Sequence, residues 1–238
     1  MKFIKSMTTY LTGLKEQAQS DIGDFYEDPV TLTQPEPEQR AANNHLGLDT
    51  VIIIDHSGSM ADCDFKPDRL QGGKEAAIEY VRERIKISPY DRVAVIAFDH
   101  RADIRINLTD ITLQQLIVDA INGIEIEGGT NITKGLKAAV EIFSDQELSA
   151  NARQIILLTD GHGGHPLRTA AKLKERLQCT IDVVGIGGEP EAVNEELLRQ
   201  VATTELSGVN HYRFITDSRS LKEHYKEIAT QIMWNPQK

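Results

Sequence analysis

The stretch DTVIIIDHSGSM, residues 49–60, decides how the rest of the chain is read. Its aliphatic run, Val51 to Ile54, is short, continuous and β-branched, the composition of a strand covered on both faces, and such strands belong to parallel sheets. The run stops on Asp55, after which Ser57 and Ser59 alternate about Gly58, whose missing side chain permits a tight turn. Three oxygen-bearing side chains therefore crowd one strand end. Such a cluster either caps the next helix or holds a hard cation.

Outward from residue 49, short aliphatic runs alternate with longer segments of helical period, the pattern of a doubly wound α/β sheet with right-handed crossovers. Strands are expected at 50–55, 92–98, 102–108, 154–159, 180–186 and 211–215, and helices at about 68–87, 112–121, 132–146, 166–177, 190–202 and 218–234. The connection DHRAD at 99–103 is too short for a crossover helix. The second and third strands must then pair antiparallel, giving a mostly parallel six-stranded sheet with one antiparallel edge strand and helices on both faces.

Residues 1–48 differ in character. Phe3, Ile4, Met7, Leu11, Leu14, Ala18 and Ile22 recur at helical spacing, so an amphipathic helix is expected over about 3–20, followed by an extended linker rich in Pro, Glu, Gln and Asn. The domain division is thus 1–48 for helix and linker and 49–238 for the α/β domain. Across 238 residues the formal net charge is −10. With no basic stripe, nucleic acid and anionic membranes are poor partners. No apolar run is long enough to span a bilayer and the first residues lack a signal-peptide core, so a cytoplasmic location is expected. The two cysteines, Cys63 and Cys179, show no disulfide or metal spacing and read as ordinary thiols.

Two further stretches bear on the same strand end. EGGTNITKGL, 127–136, sets Thr130 on a loop just before a helix, and IILLTDGHGG, 155–164, is a second aliphatic strand ending on Asp160. Open parallel sheets bind ligands beyond the carboxyl ends of their strands, so all three loops are expected at one crevice.

These residues resemble the von Willebrand factor type A (vWA) family and its metal-ion-dependent adhesion site. The family's Asp-x-Ser-x-Ser, Thr and Asp stand here as Asp55, Ser57, Ser59, Thr130 and Asp160, beside Gly58, Gly128, Gly129 and Gly161, over about residues 49–235. The resemblance implies that Asp55, Ser57 and Ser59 hold a divalent metal directly or through water. It also implies that Thr130 and Asp160 exchange between direct and water-mediated contact. Two carboxylates and three hydroxyls suit Mg²⁺, with Mn²⁺ or Ca²⁺ as alternatives, whereas transition-metal sites recruit His or Cys. A lightly neutralised cation stays electrophilic and would accept a carboxylate from another molecule. His56, Met60, Gly129, Asn131, His162 and His165 are read as the rim of that binding site.

The functional expectation is a metal-dependent protein-interaction module, not an enzyme, whose partner supplies an Asp or Glu. Family resemblance points to an intracellular assembly, with an AAA+ ATPase or a stress-response component as partner. The opposing reading is a metal-dependent hydrolase of phosphatase type, but Ser57 stands where haloacid-dehalogenase-type phosphatases need a second aspartate. A third reading is a scaffold that self-associates through its N-terminal helix.

Overall fold

The aliphatic run becomes strand β1 (Leu48–Asp55), and all eight of its residues are buried. The computed structural model describes residues 47–145, 149–161 and 163–231. The helix expected over 3–20, most of the linker and His162 lie outside the described residues. The remaining strands are β2 (Arg92–Phe98), β3 (Ala102–Asp110), β4 (Ala152–Thr159), β5 (Cys179–Ile186) and β6 (Tyr212–Ile215). They form one sheet in the order β3-β2-β1-β4-β5-β6. Only the edge pair β2–β3 is antiparallel, as the short DHRAD connection requires; β1 pairs in parallel with both β2 and β4.

The helices are α1 (Arg69–Ile87), α2 (Gln114–Asn122), α3 (Ile132–Ser144), α4 (Leu167–Glu175), α5 (Glu195–Val201) and α6 (Ser218–Thr230). Strand alternation sends Ile52, Ile54, Val95, Ile156, Leu158 and Val184 to one face, under α1, α2 and α6. Val51, Ile53, Ile96, Ile155, Leu157 and Val183 go to the other, under α3, α4 and α5. Each fully buried branched aliphatic contributes roughly 1.5–3 kcal/mol, so both layers are held chiefly by this burial.

Two helices begin later than their periodicity suggests. α2 is preceded by a 3₁₀ turn at Ile111–Leu113. In place of a helix from 190, a 3₁₀ turn at Pro190–Ala192 precedes α5, whose start is set by Asn194, its side chain accepting from the Leu197 N–H at 3.2 Å. α1 approaches the sheet closely because Gly73 carries no side chain: a Cβ there would lie 2.2 Å from Leu158 Cδ2. That approach fixes where Arg69, in the first turn of α1, can reach.

The order of strands places the topological switch between β1 and β4, where the chain leaves β1 for β2 on one side and returns to β4 on the other. Ile54 is paired with Leu158, so Asp55 and Asp160 emerge from adjacent strand ends.

Candidate metal centre

Ser57 does not cap the turn that follows it: its side chain makes no capping bond to the 3₁₀ turn Gly58–Ala61, and α1 is capped instead by Asp68, which accepts from the Gln71 N–H at 2.7 Å. The hydroxyls of Ser57 and Ser59 face each other at 3.2 Å, and Ser59 donates to Asp160 Oδ2 at 2.5 Å. Asp55 Oδ1 accepts the Ser57 N–H at 2.9 Å. Asp55, Ser57, Ser59 and Asp160 are thus linked in one hydrogen-bonded chain across two strand ends.

Asp55 is fully buried, and its second oxygen accepts from Thr159 Oγ1 at 2.6 Å. Thr159 in turn accepts the Gly161 N–H at 3.1 Å. Burial pushes the Asp55 carboxyl up to about 6; hydrogen bonds from Ser57 and Thr159 partly offset this and the neighbouring Asp160 charge adds to it. A desolvated carboxylate of this kind gains from a nearby cation.

The Thr130 loop is held to the same place by three contacts. His56, buried, donates from Nδ1 to the Glu125 carbonyl at 2.7 Å; a carbonyl only accepts, so Nδ1 carries the proton. The His56 carbonyl accepts the Glu127 N–H at 2.8 Å. On the other side Gly163, at φ +88, lies so close to Thr130 that a Cβ would stand 2.1 Å from the Thr130 carbonyl oxygen. Only glycine suits both that backbone and that approach. Thr130 is half-buried between the motif loop and the loop after Asp160.

The rim residues divide. Met60 is fully buried in the core beside α1 and does not line a surface, which corrects the rim assignment; the 3₁₀ turn that carries it rotates the thioether inward. His56 is likewise a buried tether between loops, and it too is corrected as a rim residue. Gly129 packs against His100, and His165 is exposed, its N–H donating to Thr133 Oγ1 at 2.9 Å. Asn131 occupies the N-cap position of α3 without capping it, and its Oδ1 is buried with no hydrogen-bond partner among the described residues.

Five residues outside the five-residue motif belong to this region. Thr159 orients Asp55. Arg69, buried, forks onto Asp64 with Nε–Oδ1 at 2.9 Å and Nη2–Oδ2 at 2.5 Å, while its Nη1 stands 3.5 Å from Asp160 Oδ2. The Arg69 hydrogen bonds hold the Asp64 carboxyl below the usual carboxylate range, outweighing burial. His100 pairs with buried Asp99 beside Gly129. The place of Thr159 directly before Asp160 was a usable signal; the reach of Arg69 across 91 residues of sequence was not.

The side chains joined here, two carboxylates and the hydroxyls of Ser57 and Ser59, offer only oxygen and suit a hard divalent ion, with Thr130 on the adjoining loop. Among the described residues no group of three or more His, Cys, Asp or Glu could hold a metal, so a cation site here must draw on hydroxyls. No described helix is long and apolar enough to cross a membrane.

A doubly wound sheet with hydrogen-bonded carboxylates and hydroxyls at its switch point defines the class of domain. Residues 50–162 match the family described as the von Willebrand factor type A domain, and the chain carries a domain of that family, whose members are mostly interaction and adhesion modules. Bovine calcium-activated chloride channel regulator 1 is 35% identical over 183 residues, covering 76% of this chain and 19% of that one. An uncharacterized protein of Synechocystis sp. is 30% identical over 176 residues, covering 71% of this chain and 38% of its own. This chain therefore spans well under half of both relatives. The crystal structure of the conserved hypothetical protein BatB from Bacteroides thetaiotaomicron, 22% identical, superposes with a TM-score of 0.61 over 76% of this chain and 96% of that one, a likeness of fold.

Proposed function

We propose that this domain is a metal-dependent interaction module in which Asp55, Ser57, Ser59, Thr130 and Asp160 hold one Mg²⁺, with Mn²⁺ or Ca²⁺ as substitutes. A bound cation would supply an electrophilic position for an Asp or Glu of a protein partner. The observation that carries this reading is the hydrogen-bonded chain from Asp55 through Ser57 and Ser59 to Asp160, which gathers oxygen donors from two adjacent strand ends. Thr159 and the Ser57 N–H orient Asp55. His56 and Gly163 bring the Thr130 loop alongside.

We read the site as non-catalytic. Ser57 and Ser59 are engaged with each other and with Asp160, and among the described residues neither hydroxyl is hydrogen-bonded to a histidine. His56 spends its Nδ1 proton on a backbone carbonyl. Calorimetric titration with Mg²⁺ and Mn²⁺ tests the reading: the parent chain binds one ion and Asp55→Ala binds none. Equal binding by both would place the metal elsewhere, and phosphoester turnover lost in Asp55→Ala would replace the interaction module with a hydrolase.

A further inference from the structure

Arg69 has no part in the five-residue motif, yet its buried guanidinium pairs with Asp64 and reaches Asp160 of that motif. Its guanidinium is fixed from one side by the two-bond fork to Asp64, and Asp64 is itself held by the Gly188 N–H at 2.7 Å. Asp62 adds a weaker contact at 3.7 Å. Gly73 lets α1 sit close against Leu158, and this brings the first turn of the helix up to the end of β4. The result is a charge that cannot swing away, with Nη1 held 3.5 Å from Asp160 Oδ2, the same oxygen that accepts the Ser59 hydroxyl. A planar, permanently charged fork is suited to this kind of fixed bridging.

We infer that Arg69, clamped by Asp64, is a positioning residue that holds the Asp160 carboxylate against itself and so limits the negative charge the site offers a divalent ion. This deepens the proposed metal-dependent reading and rests on it. The physical consequence has two parts. Asp160 shared with a guanidinium neutralises an incoming cation less, so the cation is held less tightly. The same sharing leaves more uncompensated charge on that cation for a partner carboxylate. Asp64 sets the strength of the effect, because its negative charge absorbs part of the Arg69 field that Asp160 would otherwise meet.

The opposed roles of Arg69 and Asp64 give a test by sign. Arg69→Gln frees Asp160 and removes a nearby positive charge, so Mn²⁺ affinity rises about tenfold or more. Asp64→Asn leaves Arg69 charged but less compensated, so Mn²⁺ affinity falls by a similar factor. Water-proton relaxation of bound Mn²⁺ supplies a readout separate from affinity: the enhancement drops in Arg69→Gln as the released carboxylate displaces water from the ion. Loss of structure would weaken both variants alike, and Asp64, one-third exposed at its side chain, tolerates the Asn change if Arg69→Gln melts early. Affinity moving in the same direction in both variants, or unchanged affinity and relaxation in Arg69→Gln, overturns the role of Arg69 while leaving the metal site in place. Mn²⁺ bound equally by the parent and by Asp55→Ala removes the metal site itself, and this inference with it.

Discussion

The two ends of the sheet bury polar groups on the same strands and treat them in opposite ways. At the amino end, fully buried Asp49 receives a two-bond fork from Arg92 (2.8 and 2.6 Å) and a further bond from Asn151 at 2.8 Å. Arg84 pairs with Asp91 and also donates to the Ala229 carbonyl at 2.8 Å, tying α1 to the end of α6. Between them a relay runs from Thr50 to Tyr80 (2.8 Å), to Gln154 (3.1 Å), to Asp182 (2.8 Å) and to His211 (2.8 Å). Every acid in this set meets a basic side chain. At the carboxyl end Asp55 has hydroxyl and amide donors but, among the described residues, no paired guanidinium, and its carboxyl is displaced upward by burial. Polar groups that serve the fold are closed within the fold. At the switch point the contacts are hydroxyls and backbone amides, with one shared guanidinium on Asp160 in place of a dedicated counter-charge for each acid.

The largest expected effect tests the closed end. Arg84→Ala leaves Asp91 buried without its counter-charge, and removing one partner of such a pair costs about 3–5 kcal/mol. Chemical denaturation should register that loss, while Mg²⁺ affinity of the folded fraction stays that of the parent. A loss below about 1 kcal/mol would show that the amino-end pairs are not structural and erase the contrast.

Thr159→Val should have an intermediate effect, and on both properties. It removes the hydroxyl that donates to Asp55 Oδ2 and accepts from Gly161. Stability should fall by about 2 kcal/mol, as expected for a hydrogen bond to a charged group. Mg²⁺ binding should weaken as well, because Asp55 loses its orienting partner. Unchanged metal affinity in this variant would mean that Thr159 belongs with the structural set.

The smallest effect is a slope with pH. His211 lies between Asp182 and Glu205, and the Asp182 hydrogen bond raises its pKa above the ordinary 6.5 despite burial. A raised folded pKa stabilises fully below the unfolded value, and that stabilisation disappears as pH climbs through the folded value. The parent should therefore melt higher at about pH 6 than at about pH 8 by a margin that His211→Gln lacks. Equal slopes in the two proteins would show that the histidine is not charged between its carboxylates.

Much of the contrast was legible before any coordinates. Ser57 at the second position after Asp55, and Asp160 at the close of an aliphatic run, mark strand ends, because period-two and continuous apolar patterns fix where a buried strand must stop. Met60 was not legible in this way. Its neighbours are polar and turn-forming, and only the 3₁₀ turn decides that it is buried within the core layer that also holds Ile52, Ile54 and Phe65. His56 misled for the same reason: an imidazole within a loop motif looks accessible until the Glu125 carbonyl is found against it.

By itself the sequence determined the six strands, the reversed edge and the helices on both faces, all of which follow from local composition and periodicity. Tertiary structure alone decided which polar groups are completed internally. Arg69 reaches Asp160, Tyr80 reaches Gln154 and Arg84 reaches the end of α6 across 91, 74 and 145 residues of chain. No local pattern encodes such distances. They are set by how closely helices and sheet approach, as at Gly73 against Leu158, and that approach is a property of the packed layers rather than of any one segment.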